Sequence, residues 1–397
     1  MAEGRYKSVI QRSAIVVYGA AMLQGFAFTL VPSLATLFSA APYNIGASAF
    51  GALFIPLTLG AILAALLTPT LARKRGMVGV LGIGIAANIF GLVALVASVA
   101  VRGNGAYLLL LVDTSALGIG FGFNFSAVNE LASQLSARAT RDVTFANVLT
   151  GLGTSLTPLF IGAFVARGIW PLWPVVLALA FAAVLVLSVG WRAATPAPVV
   201  RANAKLPRAL LLFGGAALLY AFCEGAFSSW ATTFAQVDRS FSLATGEAAL
   251  AAFWLALTLT RLALALSSRY ISARIAFAAF PFAIAAAFLA LPLWRTPMLL
   301  VAGFALAGIA CSIVFPYAMS LAFAAMPSDE DRVAGVLVGA LMTGEGFGTF
   351  AIGLLRSDAG VTLATIYRVA ALVAFALAIV AILALKSSPP SAVKASA

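Results

Sequence analysis

Apolar runs of about twenty residues follow one another along almost the whole chain, the length an α-helix needs to cross the hydrocarbon of a bilayer. The runs are continuous, not alternating, so spanning helices are expected rather than the strands of a barrel. Charged residues are 9% of the 397, against about 25% in soluble domains, which excludes a soluble globule. Arg5, Lys7 and Arg12 precede the first run. No small-residue cleavage site follows at signal-peptide distance, so a retained first helix is expected.

Reading the runs in order gives twelve spans: 13–39, 48–71, 77–101, 106–135, 143–166, 171–191, 209–235, 246–268, 273–293, 298–326, 333–355 and 362–385. The net charge is +12. In a soluble protein that would point to nucleic acid; here Lys and Arg concentrated in cytoplasmic loops explain it, and no nucleic-acid partner is expected. With the N-terminus inside, only Arg102, Arg167, Arg239, Arg295, Arg356 and Arg368 of the 24 Lys and Arg fall on the outer side. Both termini are therefore expected in the cytoplasm.

The polar stretch Arg192–Arg208, RAATPAPVVRANAKLPR, divides the spans six and six. The expected organisation is an N-terminal half (1–191), a cytoplasmic connector (192–208) and a C-terminal half (209–397). Equal halves invite a search for a repeat. YGAAMLQGFAF in the first span matches LLYAFCEGAFS in the seventh, setting Gln24 against Glu224 and Gly25 against Gly225. FIPLTLGA then meets WLALTLTR, LARKRG meets LSSRYIS with Arg73 against Arg269, and GLGTSLTPLFIG meets MTGEGFGTFAIG. Four matches in order point to duplication. The fold class expected is an all-α membrane protein of two pseudo-symmetric six-helix bundles. Pro32, Pro56, Pro158 and Pro316 lie inside spans, where neighbouring helices must satisfy the carbonyls they free. Gly335/Gly339 and Gly344/Gly348 have the spacing of close helix approach.

Of the 12 acidic residues, only Asp113, Glu130, Glu224 and Glu345 are read as lying inside spans. Such residues are costly and usually face a cavity or a partner. On Leu219–Phe234, Tyr220, Glu224, Phe227 and Ser228 share a helix face. Asp113 and Asn124, eleven residues apart, share a face of the fourth span about 16 Å apart along its axis. Glu224 and Asp113 are candidate proton carriers, each weighed against a structural carboxylate. Glu130, near a span end, reads as a snorkelling or capping residue. Glu345 is within reach of Arg261 as an interface lock. Trp230 reads as an outer-interface anchor.

The chain has no His, which removes His metal sites and His proton relays. Cys223 and Cys311 both fall inside apolar spans and read as packing residues, not a disulfide. No phosphate-cradling Gly-x-x-x-x-Gly-Lys-Ser/Thr stretch, metal-ligand cluster or nucleophilic triad is visible, so neither a cofactor, a metal nor an enzyme activity is expected.

Six plus six helices, the basic connector and basic loops after the second and eighth spans resemble the Major Facilitator Superfamily. Its Gly-x-x-x-Asp-Arg-x-Gly loop maps onto Pro69, Arg73, Lys74 and Gly76, departing at the first two positions. GTSLTPLFIG resembles the antiporter glycine-proline motif, with Thr157 where glycine stands before Pro158. VNELASQLSARATRDVTFANVLTGLGTSLTP, EGAFSSW and FWLALTLTRL carry a looser likeness to the fucose–proton symporter group. The resemblance implies a cavity lined by spans one, four, seven and ten. Tyr18, Gln24, Asn124, Tyr220, Ser228 and Tyr317 would then bind substrate, Glu224 and Asp113 couple protons, and Arg73, Arg261, Arg269 and Glu345 serve interface and gating. It also implies a monomer in the lipid bilayer of a bacterial inner membrane, with a small-molecule substrate and protons as partners. Three functions stay open: proton-coupled uptake of a small polar or amphipathic solute, proton-driven efflux of amphipathic compounds, or a passive facilitator or binding protein. Reporter fusions at Lys205 and Lys394 are expected to report the cytoplasm; an outside signal at either breaks the span count or the charge reading.

Overall fold

The computed structural model describes residues 2–136, 138–191, 193, 207–267, 272–327 and 330–387. These residues are helical nearly throughout. In chain order the helices are α1 (Ala2–Phe28), α2 (Leu30–Ser33), α3 (Ala35–Ser39), α4 (Ala47–Ala52), α5 (Phe54–Ala97), α6 (Asn104–Ser133), α7 (Ala139–Ala166) and α8 (Leu172–Ser188). They continue with α9 (Arg208–Ser228), α10 (Ala231–Thr233), α11 (Leu243–Ser267), α12 (Ala273–Ala290), α13 (Pro297–Cys311), α14 (Val314–Ala325), α15 (Glu330–Ser357) and α16 (Leu363–Lys386). Among the described residues, 10 helical segments are long and apolar enough to cross a membrane. One of them, Ala47–Ala100, runs through a bend, and the apolar α8 is shorter than the rest. Counting the first as two and adding α8 maps the segments onto the twelve expected spans.

The bend is at Gly76, with φ 70° and ψ 166°. That backbone region is open to glycine and strained for any side chain. It explains why glycine stands at position 76.

Two compact units form: Met1–Ile45 with Pro56–Ala197, and Gly46–Ile55 with Pro198–Ala397. In the first, α1 packs mainly on α7, with α6 and α8 beside it. In the second, α9 packs mainly on α15, α11 on α13 and α12 on α16, while α4 lies against α15. The two leading helices break at matching places. α1 ends at Phe28 and α9 at Ser228, each followed by a short helix. Their packing repeats as well. A Cβ on Gly153 of α7 would meet the Met22 carbonyl of α1 at 2.2 Å, and one on Gly344 of α15 would meet the Leu218 carbonyl of α9 at 2.1 Å. These are the glycines that the fourth sequence match aligns. Of the two expected glycine pairs in the eleventh span, Gly344 and Gly348 sit in this approach; Gly335 and Gly339 face open space.

The prolines inside spans have identifiable consequences. Pro158 and Pro316 lack the N–H that would bond the carbonyl four residues back. For Pro158 that carbonyl is Thr154 O, and the Thr29 hydroxyl donates to it at 2.9 Å. For Pro316 it is Ser312 O, and Arg261 Nε donates to it at 3.0 Å. Basic residues also close helix ends: Arg12 donates to the Leu187 and Val189 carbonyls at the end of α8, both at 2.7 Å, and Arg274 to Leu385 O of α16 at 2.8 Å. Gly153→Leu and Gly344→Leu are expected to destabilise by about 1–3 kcal/mol or more through overpacking. Gly339→Leu should be near neutral. Thermal unfolding in detergent checks this, and equal melting of all three variants contradicts the close approach.

Candidate functional site

The C-terminal unit gathers its charges around α9. Tyr220 and Glu224 stand one turn apart, and the phenol donates to Glu224 Oε1 at 2.7 Å. From α11, Arg261 Nη2 donates to Tyr220 Oη at 3.1 Å and lies 3.7 Å from Glu224 Oε1. The same guanidinium reaches through Nε to the Ser312 carbonyl between α13 and α14. Side-chain exposure is 8% for Glu224 and 38% for Arg261, so the glutamate is enclosed while the arginine side chain is partly open. Phe315 stacks on the Tyr220 ring at 6.3 Å. Glu345 enters from α15: its Cγ lies 3.3 Å from where a Cβ on Gly225 would stand, beside Glu224. The two carboxyl groups are close enough to interact electrostatically. The expected lock between Arg261 and Glu345 is thus replaced. Arg261 pairs with Glu224, because the freed Ser312 carbonyl and Tyr220 hold it on the α9 side.

The N-terminal unit puts amides where the other has charges. Gln24 Oε1 accepts from Asn88 Nδ2 at 2.7 Å and from Asn124 Nδ2 at 3.0 Å, and all three residues are buried. Asn88 comes from α5 and was not singled out in the sequence. Its packing is reciprocal with Asn124: a Cβ on Gly120 would strike Asn88 Oδ1, and one on Gly84 would strike Asn124 Oδ1, each at 2.2 Å. The signal lay in the chain as two Gly-x-x-x-Asn stretches, 84–88 and 120–124, inside apolar spans.

The remaining expected site residues are dispersed. Asp113 shares the Asn124 face, but that face packs on α5. Asp113 Oδ1 lies 3.3 Å from a Cβ placed on Gly91, and neither carboxyl oxygen has a protein partner. Tyr18 donates to Asp142 Oδ1 of α7 at 3.2 Å, away from the amides. Ser228 is buried at the end of α9, and Tyr317 is half-buried on α14. Arg73 is exposed beside the Gly76 bend. Arg269 lies outside the described residues. Glu130 accepts from Gln134 Nε2 at 2.8 Å near the end of α6. Phe227, expected on the polar face of α9, is fully buried among Phe253, Phe288, Phe304 and Tyr367. Trp230 is 1% exposed against Phe50, not an interface anchor, because the break after Ser228 turns it inward. Sequence reasoning also passed over Glu247, buried on α11 with both carboxyl oxygens unpartnered.

Solved structures with the same helix arrangement span nearly the whole chain. The nucleoside transporter NupG matches at TM-score 0.71 and 14% identity over 95% of this chain and 99% of that one. The Escherichia coli fucose:proton symporter FucP matches at 0.64 and 14% over 94% and 98%. A D-xylose–proton symporter matches at 0.71 and 14% over 96% and 98%. The chain has the Major Facilitator fold. No protein-family model matches it, and no curated protein matches it by sequence. The fold and the ten apolar helices make it an integral membrane protein.

Removing the acceptor at the centre of the amide group strands two buried donors, each worth about 1–3 kcal/mol. Gln24→Leu is therefore expected to lower the melting midpoint clearly. Gln24→Glu keeps an acceptor for both amides and should retain most of the stability. Equal loss in both variants means the two hydrogen bonds do not matter.

Proposed function

We propose that the chain is a secondary active transporter that takes up a small polar or amphipathic solute by alternating access, coupled to protons. The observation that carries this reading is the Tyr220–Glu224–Arg261 group with Glu345 beside it. A carboxylate, a second carboxyl and a single guanidinium inside one membrane half are expensive to keep unless one of them changes charge in use. The fold adds weight, since two of the matched proteins are proton symporters by name and the third carries nucleosides.

In this reading Glu224 is the proton carrier. Ionised, it holds Arg261 and accepts from Tyr220. When a proton binds Glu224, the carboxylic acid no longer attracts the guanidinium. Arg261 then keeps its tie to Ser312 O and turns toward Glu345 or solvent. Loss of the proton restores the pair. The two charge states thus favour two side-chain arrangements, which is what coupling needs from a site. Asp113 is the second candidate carrier. Gln24, Asn124, Tyr220 and Ser228, with Tyr317 beyond them, supply donors and acceptors for hydroxyl or base groups of a solute. Tyr18, whose hydroxyl donates to Asp142, belongs to the same set. Arg73 and Arg269 keep the assigned interface and gating roles, while Arg261 and Glu345 serve gating through the Glu224 pair. The two halves, 1–191 and 209–397 with their connector, would move as bodies, with both termini in the cytoplasm of a bacterium and the chain working as a monomer in the inner membrane.

The test uses proteoliposomes and a panel of labelled nucleosides and monosaccharides. Wild type is expected to exchange at least one of them in counterflow and to accumulate it under an inward proton gradient. Glu224→Gln keeps shape and hydrogen bonding but cannot release a proton. It should abolish gradient-driven accumulation and leave counterflow within a few-fold of wild type. Normal accumulation by Glu224→Gln makes Glu224 structural and moves the role to Asp113. Loss of counterflow as well places Glu224 in the substrate site. Expulsion driven by the gradient marks an exporter, and gradient-independent flux a facilitator.

A further inference from the structure

One end of the C-terminal unit holds a cavity that the transport reading leaves unused. It has a volume of about 450 Å³ and is lined by Phe234, Asp238, Arg239, Arg356, Thr362 and their neighbours. Three chain segments meet there: the π-helical turn Phe234–Asp238 after α9, the end of α15, and the start of α16.

The charge balance of the cavity is unequal. Asp238 is the one acidic lining residue, and it is already engaged on both oxygens. Oδ1 pairs with Arg356 Nη2 at 2.6 Å, and Oδ2 accepts the Leu363 N–H at 2.8 Å. Arg239 is left without a carboxylate. Its Nη2 donates to the Pro292 carbonyl, its guanidinium carbon lies 5.0 Å above the Phe234 ring, and its buried Nε has no acceptor. Burial, and next the like charge of Arg295, lower its pKa from the ordinary value; Arg368 adds to this and Asp238 opposes it. Asp358, on the α15–α16 connection, is exposed and makes no ion pair with this group among the described residues. Two guanidinium groups, Arg239 and Arg356, thus line an open cavity whose one carboxylate is already engaged, and Arg295 and Arg368 act on Arg239 electrostatically. Like charges around Arg239 repel it, and an anion seated against it removes the cost. These arginines belong to the outer-side set, where the positive-inside distribution calls for few.

We propose that this cavity binds an anionic oxygen group of the phosphate class, held by Arg239, with Arg295 and Arg368 adding to the positive field around that guanidinium. Two sources carry that chemistry: the headgroup of an anionic lipid and a free phosphate-bearing solute. The site stands apart from the Glu224 group and does not rest on proton coupling.

The test is thermal unfolding of the purified full chain in uncharged detergent. One arm compares sodium phosphate with sodium chloride at equal ionic strength. The other compares micelles doped with phosphatidylglycerol or with phosphatidylcholine. A ligand that binds only the folded chain raises the midpoint. A rise in the phosphate arm assigns a free anion, and a rise in the lipid arm alone assigns a headgroup. Arg239→Gln is expected to abolish either rise and Arg368→Gln to weaken it several-fold, while Arg102→Gln in the other unit leaves it intact. If Arg239→Gln does not fold, the Arg368→Gln and Arg102→Gln comparison reads the same point. No rise in either arm overturns the site, as does a rise that the arginine variants at 239 and 368 retain in full.

Discussion

In a bilayer each backbone carbonyl that loses its intrahelical donor must find another, and the internal architecture of both units follows from how two such carbonyls are met. Pro316 frees Ser312 O, and Arg261 takes it with Nε while offering Nη2 to Tyr220 and Glu224. One side chain therefore ties α11 to the α13–α14 break and to α9. Pro158 frees Thr154 O, and Thr29 takes it from the α1 break, tying α1 to α7. In both units one polar side chain from another part of the chain meets the carbonyl that a proline frees.

The two units share this plan and differ in chemistry. Gln24 and Glu224 occupy matched positions before matched breaks, and Gly153 and Gly344 bring the partner helix to the same closeness. Around Gln24 the neighbours are Asn88 and Asn124, which cannot titrate. Around Glu224 they are Tyr220, Arg261 and Glu345. Matched positions that keep the same packing while only the Glu224 side carries ion-pairing groups separate two demands: the amide group around Gln24 holds shape, and the group around Glu224 can respond to a proton. That contrast is the physical content of the proposed coupling.

Much of this was legible in the sequence, and the limits have physical reasons. Span positions follow from hydropathy because lipid leaves few alternatives. The Tyr220–Glu224 bond follows from i, i+4 spacing within one helix. The fourth internal match was readable because the glycines it aligns, Gly153 and Gly344, stand at close approaches that leave no room for a side chain. The Arg261 partner was misread because choosing between Glu224 and Glu345 needs the position of Ser312 O, a tertiary fact. Asn88 was missed because its Gly-x-x-x-Asn stretch gains meaning only when set against the matching stretch of another helix, where Gly120 faces it. Trp230 was misplaced because a continuous helix was projected through the break after Ser228, and Phe227 because its ring packs on Phe253, Phe288, Phe304 and Tyr367 of other segments, a tertiary fact.

That break also bears on how charge and shape are linked. A straight helix through 228–234 would carry the register of Glu224 onward, and one face would run from Tyr220 to the far end of the segment. The interruption uncouples them. The stretch before it presents Tyr220 and Glu224 to Arg261, and the stretch after it turns Trp230 against Phe50 and Phe234 against Tyr367. Thr349 Oγ1 donates to Ser229 Oγ at 3.1 Å and fixes the joint to α15, one turn along from Glu345. The break and the second carboxyl are therefore held by the same helix. An interrupted helix with a polar clasp at the interruption offers two local geometries at small cost, whereas an unbroken one resists bending along its whole hydrogen-bonded length.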